Sequence, residues 1–230
     1  MLAWAKGLLG HVPLYVALQR AIGADQLRNR CISELELKPG ECVLDVGCGP
    51  AYYFERLPAV RYIGFDTDRR YIDYARRRWG DRAEFRCEAI AATHLAELPQ
   101  ADAVLLMGLL HHLSDDESAN LLNLAARLLA PGGRVISLDT CFEPSQGRIS
   151  RWMSENDRGR HVRQPEGFLA LAREAFDAVD GEILSGVTRV PSSFWLMRMR
   201  SPAHSSTARS LAHARSESLP SWQGVANPST

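Results

Sequence analysis

The sequence predicts an α/β fold with a largely parallel sheet, and three observations carry that prediction. Short apolar runs, Val43-Leu44-Asp45-Val46 and Ala101 to Met107 above all, are nearly continuous, as strands covered on both faces are. Helical patterns separate these runs, so that the first two strands and the helix between them form a βαβ unit. The first run leads straight into Gly47-Cys48-Gly49-Pro50, a turn that side-chain-bearing residues make only at a cost.

At 230 residues with 46% hydrophobic content, the chain is sized for one domain with a substantial core plus appendages. Its 27 basic and 27 acidic residues cancel, which argues against recruitment of nucleic acid or an anionic membrane by a global positive field. The five cysteines, Cys31, Cys42, Cys48, Cys87 and Cys141, are odd in number and show no Cys-x-x-Cys spacing, a pattern suited to a reducing cytoplasm. Lys6, Gly10, His11 and Pro13 interrupt the apolar opening, so neither a membrane span nor a signal peptide is expected.

In chain order, residues 1–37 read as an N-terminal helical cap of two or three short helices. Pro13 makes a break, and Asp25 is a candidate N-cap for a stripe of Leu27, Cys31 and Leu35. The cap either packs over the sheet or forms a lid carrying Trp4, Tyr15 and Gln19 toward a ligand. After the glycine turn, a helix is expected over residues 51–57, with its N-terminus offered to whatever occupies the turn.

The second strand ends in Gly64-Phe65-Asp66-Thr67-Asp68 and precedes a helix over Arg69–Trp79. Asp66, at a strand tip beside the glycine turn, can accept hydrogen bonds from both hydroxyls of a ribose. A third strand over 82–87 ends at Glu88-Ala89-Ile90, where a carboxylate and backbone N–H groups could read an adenine edge. The fourth strand runs into Gly108-Leu109-Leu110-His111-His112. Ser114 and Glu117 then have capping-box spacing, starting a helix with Leu121, Leu124, Ala125 and Leu128 on its buried face. Pro131-Gly132-Gly133 leads to a fifth strand over 134–138, with Asp139 at its tip. Asp45, Asp66, Glu88, His111, His112 and Asp139 thus all fall at carboxyl ends of strands, where open α/β sheets bind ligands.

A Gly-x-Gly turn also opens dinucleotide sites, but those need a third glycine, and Tyr52 stands in its place. Four motifs in order resemble the class I S-adenosylmethionine-dependent methyltransferases: Val-Leu-Asp-Val-Gly-Cys-Gly-Pro, Gly-Phe-Asp-Thr-Asp, Leu-Leu-His-His-Leu-Ser-Asp and Leu-Ala-Pro-Gly-Gly-Arg-Val. The likeness spans residues 41–138 and is closest to small bacterial enzymes acting on small molecules or glycan precursors. It implies a Rossmann-like sheet of seven mostly parallel strands with helices on both faces and the last strand antiparallel, over a domain of residues 38–200. It also implies S-adenosylmethionine as cofactor, with Asp45, Gly47, Cys48 and Gly49 at its methionine part, Asp66 on the ribose, and Glu88, Ala89 and Met107 near the adenine and sulfonium. Cys87-Glu88 departs from the usual Gly-Asp, and no Asn/Asp-Pro-Pro-Tyr/Phe stretch follows the fourth strand, which counts against amino methylation of nucleic acid.

Residues 140–164 break the rhythm of the sheet, as functional segments do, and read as a substrate lid. Arg148, Arg151 and Arg160 there, together with Tyr15, are the candidate acceptor contacts, and the arginines suggest an anionic small molecule. An amphipathic helix about Phe168 and Phe176 and two strands, over 178–184 and 193–200, complete the domain. Residues 201–230 lack apolar periodicity and are expected to be disordered. For an oxygen acceptor, His111 or His112 is the candidate general base. No ligand triad of recognised spacing appears, so no metal is expected. A cofactor-binding protein without transferase activity and a nicotinamide-dependent oxidoreductase remain the alternatives.

Overall fold

The computed structural model describes residues 12–157 and 159–202. The expectations for the opening residues, including Trp4, and for nearly all of the tail lie outside these. Among the described residues seven strands form one sheet: β1 Cys42–Val46, β2 Arg61–Phe65, β3 Glu84–Arg86, β4 Ala101–Met107, β5 Leu129–Thr140, β6 Phe176–Ser185 and β7 Ser193–Pro202, in the order β3-β2-β1-β4-β5-β7-β6. The first five pair in parallel, and β7 inserts antiparallel between β5 and β6, with Ile136 opposite Arg198.

Among the described residues six α-helices flank the sheet: α1 Val12–Ala21, α2 Ala24–Leu35, α3 Arg69–Trp79, α4 Asp115–Leu128, α5 Arg148–Glu155 and α6 Pro165–Arg173. The period-2 alternation of the strands divides the core between the two faces. Leu44, Val46, Val104 and Leu106 pack with Leu122 of α4 and Phe168 of α6. Val43, Ala103 and Leu105 face the other way, onto Leu27 and Leu35 of α2 and Ile72 of α3. The stripe of α2 is therefore core, and residues 12–35 are part of the domain's packing.

Four local expectations change. Gly23, not Asp25, occupies the N-cap of α2, and the Asp25 carboxylate instead pairs with Arg56 at 2.8 Å. Pro13 sits in the first turn of α1, where its missing N–H costs nothing. No α-helix forms over 51–57: Ala51 adopts a φ of 47°, and only a short 3-10 turn, Phe54–Arg56, follows. Tyr52, Tyr53 and Phe54 are all buried, so three consecutive aromatic side chains turn inward where a helix would have sent one outward. Finally, β5 starts at Leu129, and a bulge against β4 absorbs the Pro-Gly-Gly turn.

Candidate functional site

The carboxyl ends of β1, β2, β4 and β5 open into a cavity of about 1240 Å³, lined at its ends by Tyr15 and Gln19 of α1 and by His111 and Asp157. The glycine turn forms part of its floor. Gly47 and Gly49 take φ of 76° and 55°, and the N–H groups of Gly47 and Cys48 donate to the Phe65 carbonyl at 2.8 and 3.0 Å. Cys48 turns its thiol into the core, leaving its backbone toward the cavity. Asp66 crosses from β2 to the turn: its Oδ2 accepts the Gly49 N–H at 2.8 Å and its Oδ1 the Asp68 N–H at 2.7 Å.

Asp45 is placed otherwise than expected. It is wholly buried, does not line the cavity, and accepts hydrogen bonds from the hydroxyls of Tyr53 at 2.6 Å and Tyr62 at 2.5 Å. Burial pushes its carboxyl up to about 6, against the pull of the two tyrosines. Asp45 thus braces the glycine turn from behind.

Glu88, Ala89 and Met107 line the cavity. The loop bearing Glu88 is held by His94, which spacing did not single out. His94 Nδ1 accepts the Ala91 N–H at 2.9 Å, and its Nε2 lies 3.6 Å from the Glu88 carboxylate. Arg28 of α2 is a second residue that the sequence reading passed over. It lies 4.8 Å above the Tyr52 ring, and both residues line the cavity. Among the described residues Arg28 spends only Nη1 on hydrogen bonds, to Gln19 and Ala24, while its Nε and the Tyr52 hydroxyl have no partner.

At the other end, His111 sits between two carboxylates: Nδ1 is 2.9 Å from Asp139 and Nε2 is 3.2 Å from Asp157. Burial alone would lower its affinity for a proton, but hydrogen bonds to both carboxylates outweigh this and raise its pKa to about 9. Asp157 is held below the usual carboxylate range by the same contacts, despite its burial. With a carboxylate 2.9 Å from one ring nitrogen and another 3.2 Å from the other, the protonated ring is favoured, which weighs against His111 as the general base. His112, beside it with ring centroids 4.2 Å apart, is exposed and lines the cavity.

Among the described residues, the candidate arginines of 140–164 do not gather at the site. Arg148, Arg151 and Arg160 are exposed and off the cavity wall, and Arg151 pairs with Glu155. Arg163 stitches the segment down instead, donating to the carbonyls of Leu110 at 2.9 Å and Leu113 at 2.7 Å and pairing with Asp115. Gly159 lies so close that a Cβ there would stand 2.1 Å from His111 Cδ2. Among its described residues, the segment contributes Thr140, Met153, Asn156 and Asp157 to the cavity.

A glycine turn and an acid at adjacent strand tips, under a doubly wound sheet with a reversed β7, define the class I methyltransferase fold. Residues 43–133 match the family model described as "Methyltransferase domain". The chain is 32% identical over 159 residues to an uncharacterized 37.1 kDa protein in transposon TN4556 of Streptomyces fradiae, covering 64% of this chain and 45% of that one. It is 30% identical over 119 residues to the probable tRNA methyltransferase 9B of Mus musculus, covering 50% of this chain and 25% of that one. Among solved structures it is similar to the N-methyltransferase NodS from Bradyrhizobium japonicum, with a TM-score of 0.58 and 18% identity over 80% of this chain and 96% of that one. The chain spans less than half the length of these two curated relatives. Residues 43–133 thus carry the methyltransferase-domain match, on the fold of the S-adenosylmethionine-dependent class I methyltransferases, and S-adenosylmethionine is the cofactor to which that match points.

Proposed function

We propose that this chain transfers the methyl group of S-adenosylmethionine to a small-molecule acceptor bound in the same cavity. The observation that carries the reading is the extent of that cavity, which runs from the glycine turn and Asp66 on to His111 and Asp157 and has room for a second molecule beside a nucleoside cofactor.

The residues fit the cofactor. The backbone of Gly47 to Gly49 would lie against its methionine part, Arg28 would face the carboxylate, Asp66 would take the ribose hydroxyls, and the Glu88-Ala89 backbone with Met107 would flank the adenine and sulfonium. The cofactor supplies an activated methyl group on a positive sulfur. The chain's own contribution is to hold the acceptor in line and to exclude water. Tyr15, its ring 5.4 Å from that of Tyr71, lines the cavity from α1, and Met153 lines it from the segment bearing Asp157, which gives the acceptor end a carboxylate. The arginines that suggested an anionic acceptor lie off this wall, so the proposal specifies no acceptor charge. The cytoplasm remains the proposed compartment; among the described residues no helix is long and apolar enough to cross a membrane.

A nucleic-acid acceptor is the second reading, because one relative is named as a probable tRNA methyltransferase. The cancelled net charge and the recessed acceptor end favour a small molecule. Calorimetry with S-adenosylhomocysteine and with NADH, followed by transfer of labelled methyl groups to a panel of small alcohols and amines and to bulk tRNA, tests both. Binding of NADH alone would overturn the cofactor. Transfer to tRNA alone would overturn the acceptor class, and cofactor binding without any transfer would favour a non-catalytic partner.

A further inference from the structure

We infer that His111, His112 and Asp157 form a binding site for a divalent transition metal at the acceptor end of the cavity. The ligating atoms of the three side chains all lie within 4.8 Å of one another. His111 Nε2 and Asp157 Oδ1 are 3.2 Å apart, close to the edge of about 3.3 Å that a tetrahedral site with bonds of about 2.0–2.1 Å requires. Two imidazoles and one carboxylate on one side of an ion suit zinc, cobalt, nickel or ferrous iron, and disfavour magnesium and calcium, which prefer oxygen.

The surroundings are those of a supported site. Asp139, fully buried, accepts from His111 Nδ1 at 2.9 Å and from the His111 backbone N–H at 3.2 Å, which aims Nε2 at Asp157 and the cavity. Asp157 is fixed in turn, its Oδ1 accepting the Gly159 N–H at 2.7 Å and its Oδ2 the Thr140 hydroxyl at 3.3 Å. On binding, the ion takes the place of the Nε2 proton, which leaves to solvent, and Asp157 turns from hydrogen-bond acceptor to ligand. Two neutral imidazoles, Asp157 and Asp139 then balance the two positive charges. All three ligands line the cavity, so the open coordination positions face the space left for an acceptor. The use of such an ion to hold an acceptor oxygen rests on the proposed function; metal binding itself does not.

The test uses the full chain, with any affinity tag removed and metals stripped by a chelator. Titration with Co²⁺ alone is expected to give visible d–d absorption saturating at about one ion per chain, reversed by excess Zn²⁺. His112→Ala, which alters an exposed side chain, and Asp157→Ala should each weaken Co²⁺ binding at least tenfold, and Asp139→Asn, a positioning change, by about 10- to 100-fold. Cys87→Ser should leave the spectrum unchanged. Binding of S-adenosylhomocysteine should persist in His112→Ala, which separates loss of the metal from failure of the cofactor reading. Absence of a Co²⁺ spectrum in folded protein, equal binding by His112→Ala, or loss of binding in Cys87→Ser would each overturn the inference. If Asp157→Ala does not fold, His112→Ala decides.

Discussion

Asp66 Oδ2 receives the Gly49 amide at 2.8 Å, so the acid at the tip of β2 and the turn after β1 are one unit. A ribose between them would meet a carboxylate already fixed in direction. Asp66→Asn keeps the shape but removes the charge and one acceptor. We expect it to weaken S-adenosylhomocysteine binding about tenfold, or about 1.4 kcal/mol, in calorimetry; unchanged affinity would reject the ribose role.

Arg28 gives a sharper test of orientation. Arg28→Met keeps the stem over Tyr52 and removes the cation. Affinity for S-adenosylhomocysteine should fall about tenfold or more, as loss of a charge-assisted contact does, while affinity for adenosine, which has no carboxylate, should stay within twofold. Equal losses for both ligands would place Arg28 away from the amino-acid end.

The buried Asp45 makes stability depend on pH in a definite sense. Its carboxyl is raised from 3.8 to about 6, so between those values the folded chain holds a proton that the unfolded chain releases. Its contribution to stability is full below pH 4 and is lost as pH rises through 6, on the order of 3 kcal/mol at most. Denaturant melts across pH 4 to 7 should show this slope in the wild type and a flatter one in Asp45→Asn. Parallel slopes would show that Asp45 is ionised throughout.

Gly159→Ala should be costly out of proportion to one methyl group. The added carbon would press on the ring and carbonyl of His111, so residues 157–161 must lift away. We expect a loss of about 1–3 kcal/mol in a thermal or chemical melt, within the range measured for overpacking. Arg148→Ala, by contrast, changes an exposed side chain and should stay within about 0.5 kcal/mol.

What could be read from the sequence was local or repeated. The β4 strand is seen to the residue, and the Ser114–Glu117 capping box forms as spaced, because both depend on neighbours in sequence. The reversed β7 and the joining of Gly49 to Asp66 were accessible through the order of four motifs. The rest depends on distant partners. Asp45 reads as a site residue until Tyr53 and Tyr62 close on it. Asp157 and His111, 46 positions apart, meet only when residues 140–164 fold back over the 3-10 turn Leu110–His112, a segment whose arginines drew attention elsewhere. His94 and Arg28 sit among other polar residues in helical segments, where no spacing marks them.

Arg134 on β5 has one further consequence. It donates to the carbonyls of Leu35, Glu36 and Asp102 and forks onto Glu41, while Arg189 donates to the Ala21 carbonyl. The α1–α2 hairpin is therefore held at its turn and at the C-terminal end of α2. Swinging that hairpin open would break these bonds, so the chain's choice of acceptor should evolve by exchanging single cavity-wall residues such as Tyr15 and Met153 more readily than by replacing the hairpin.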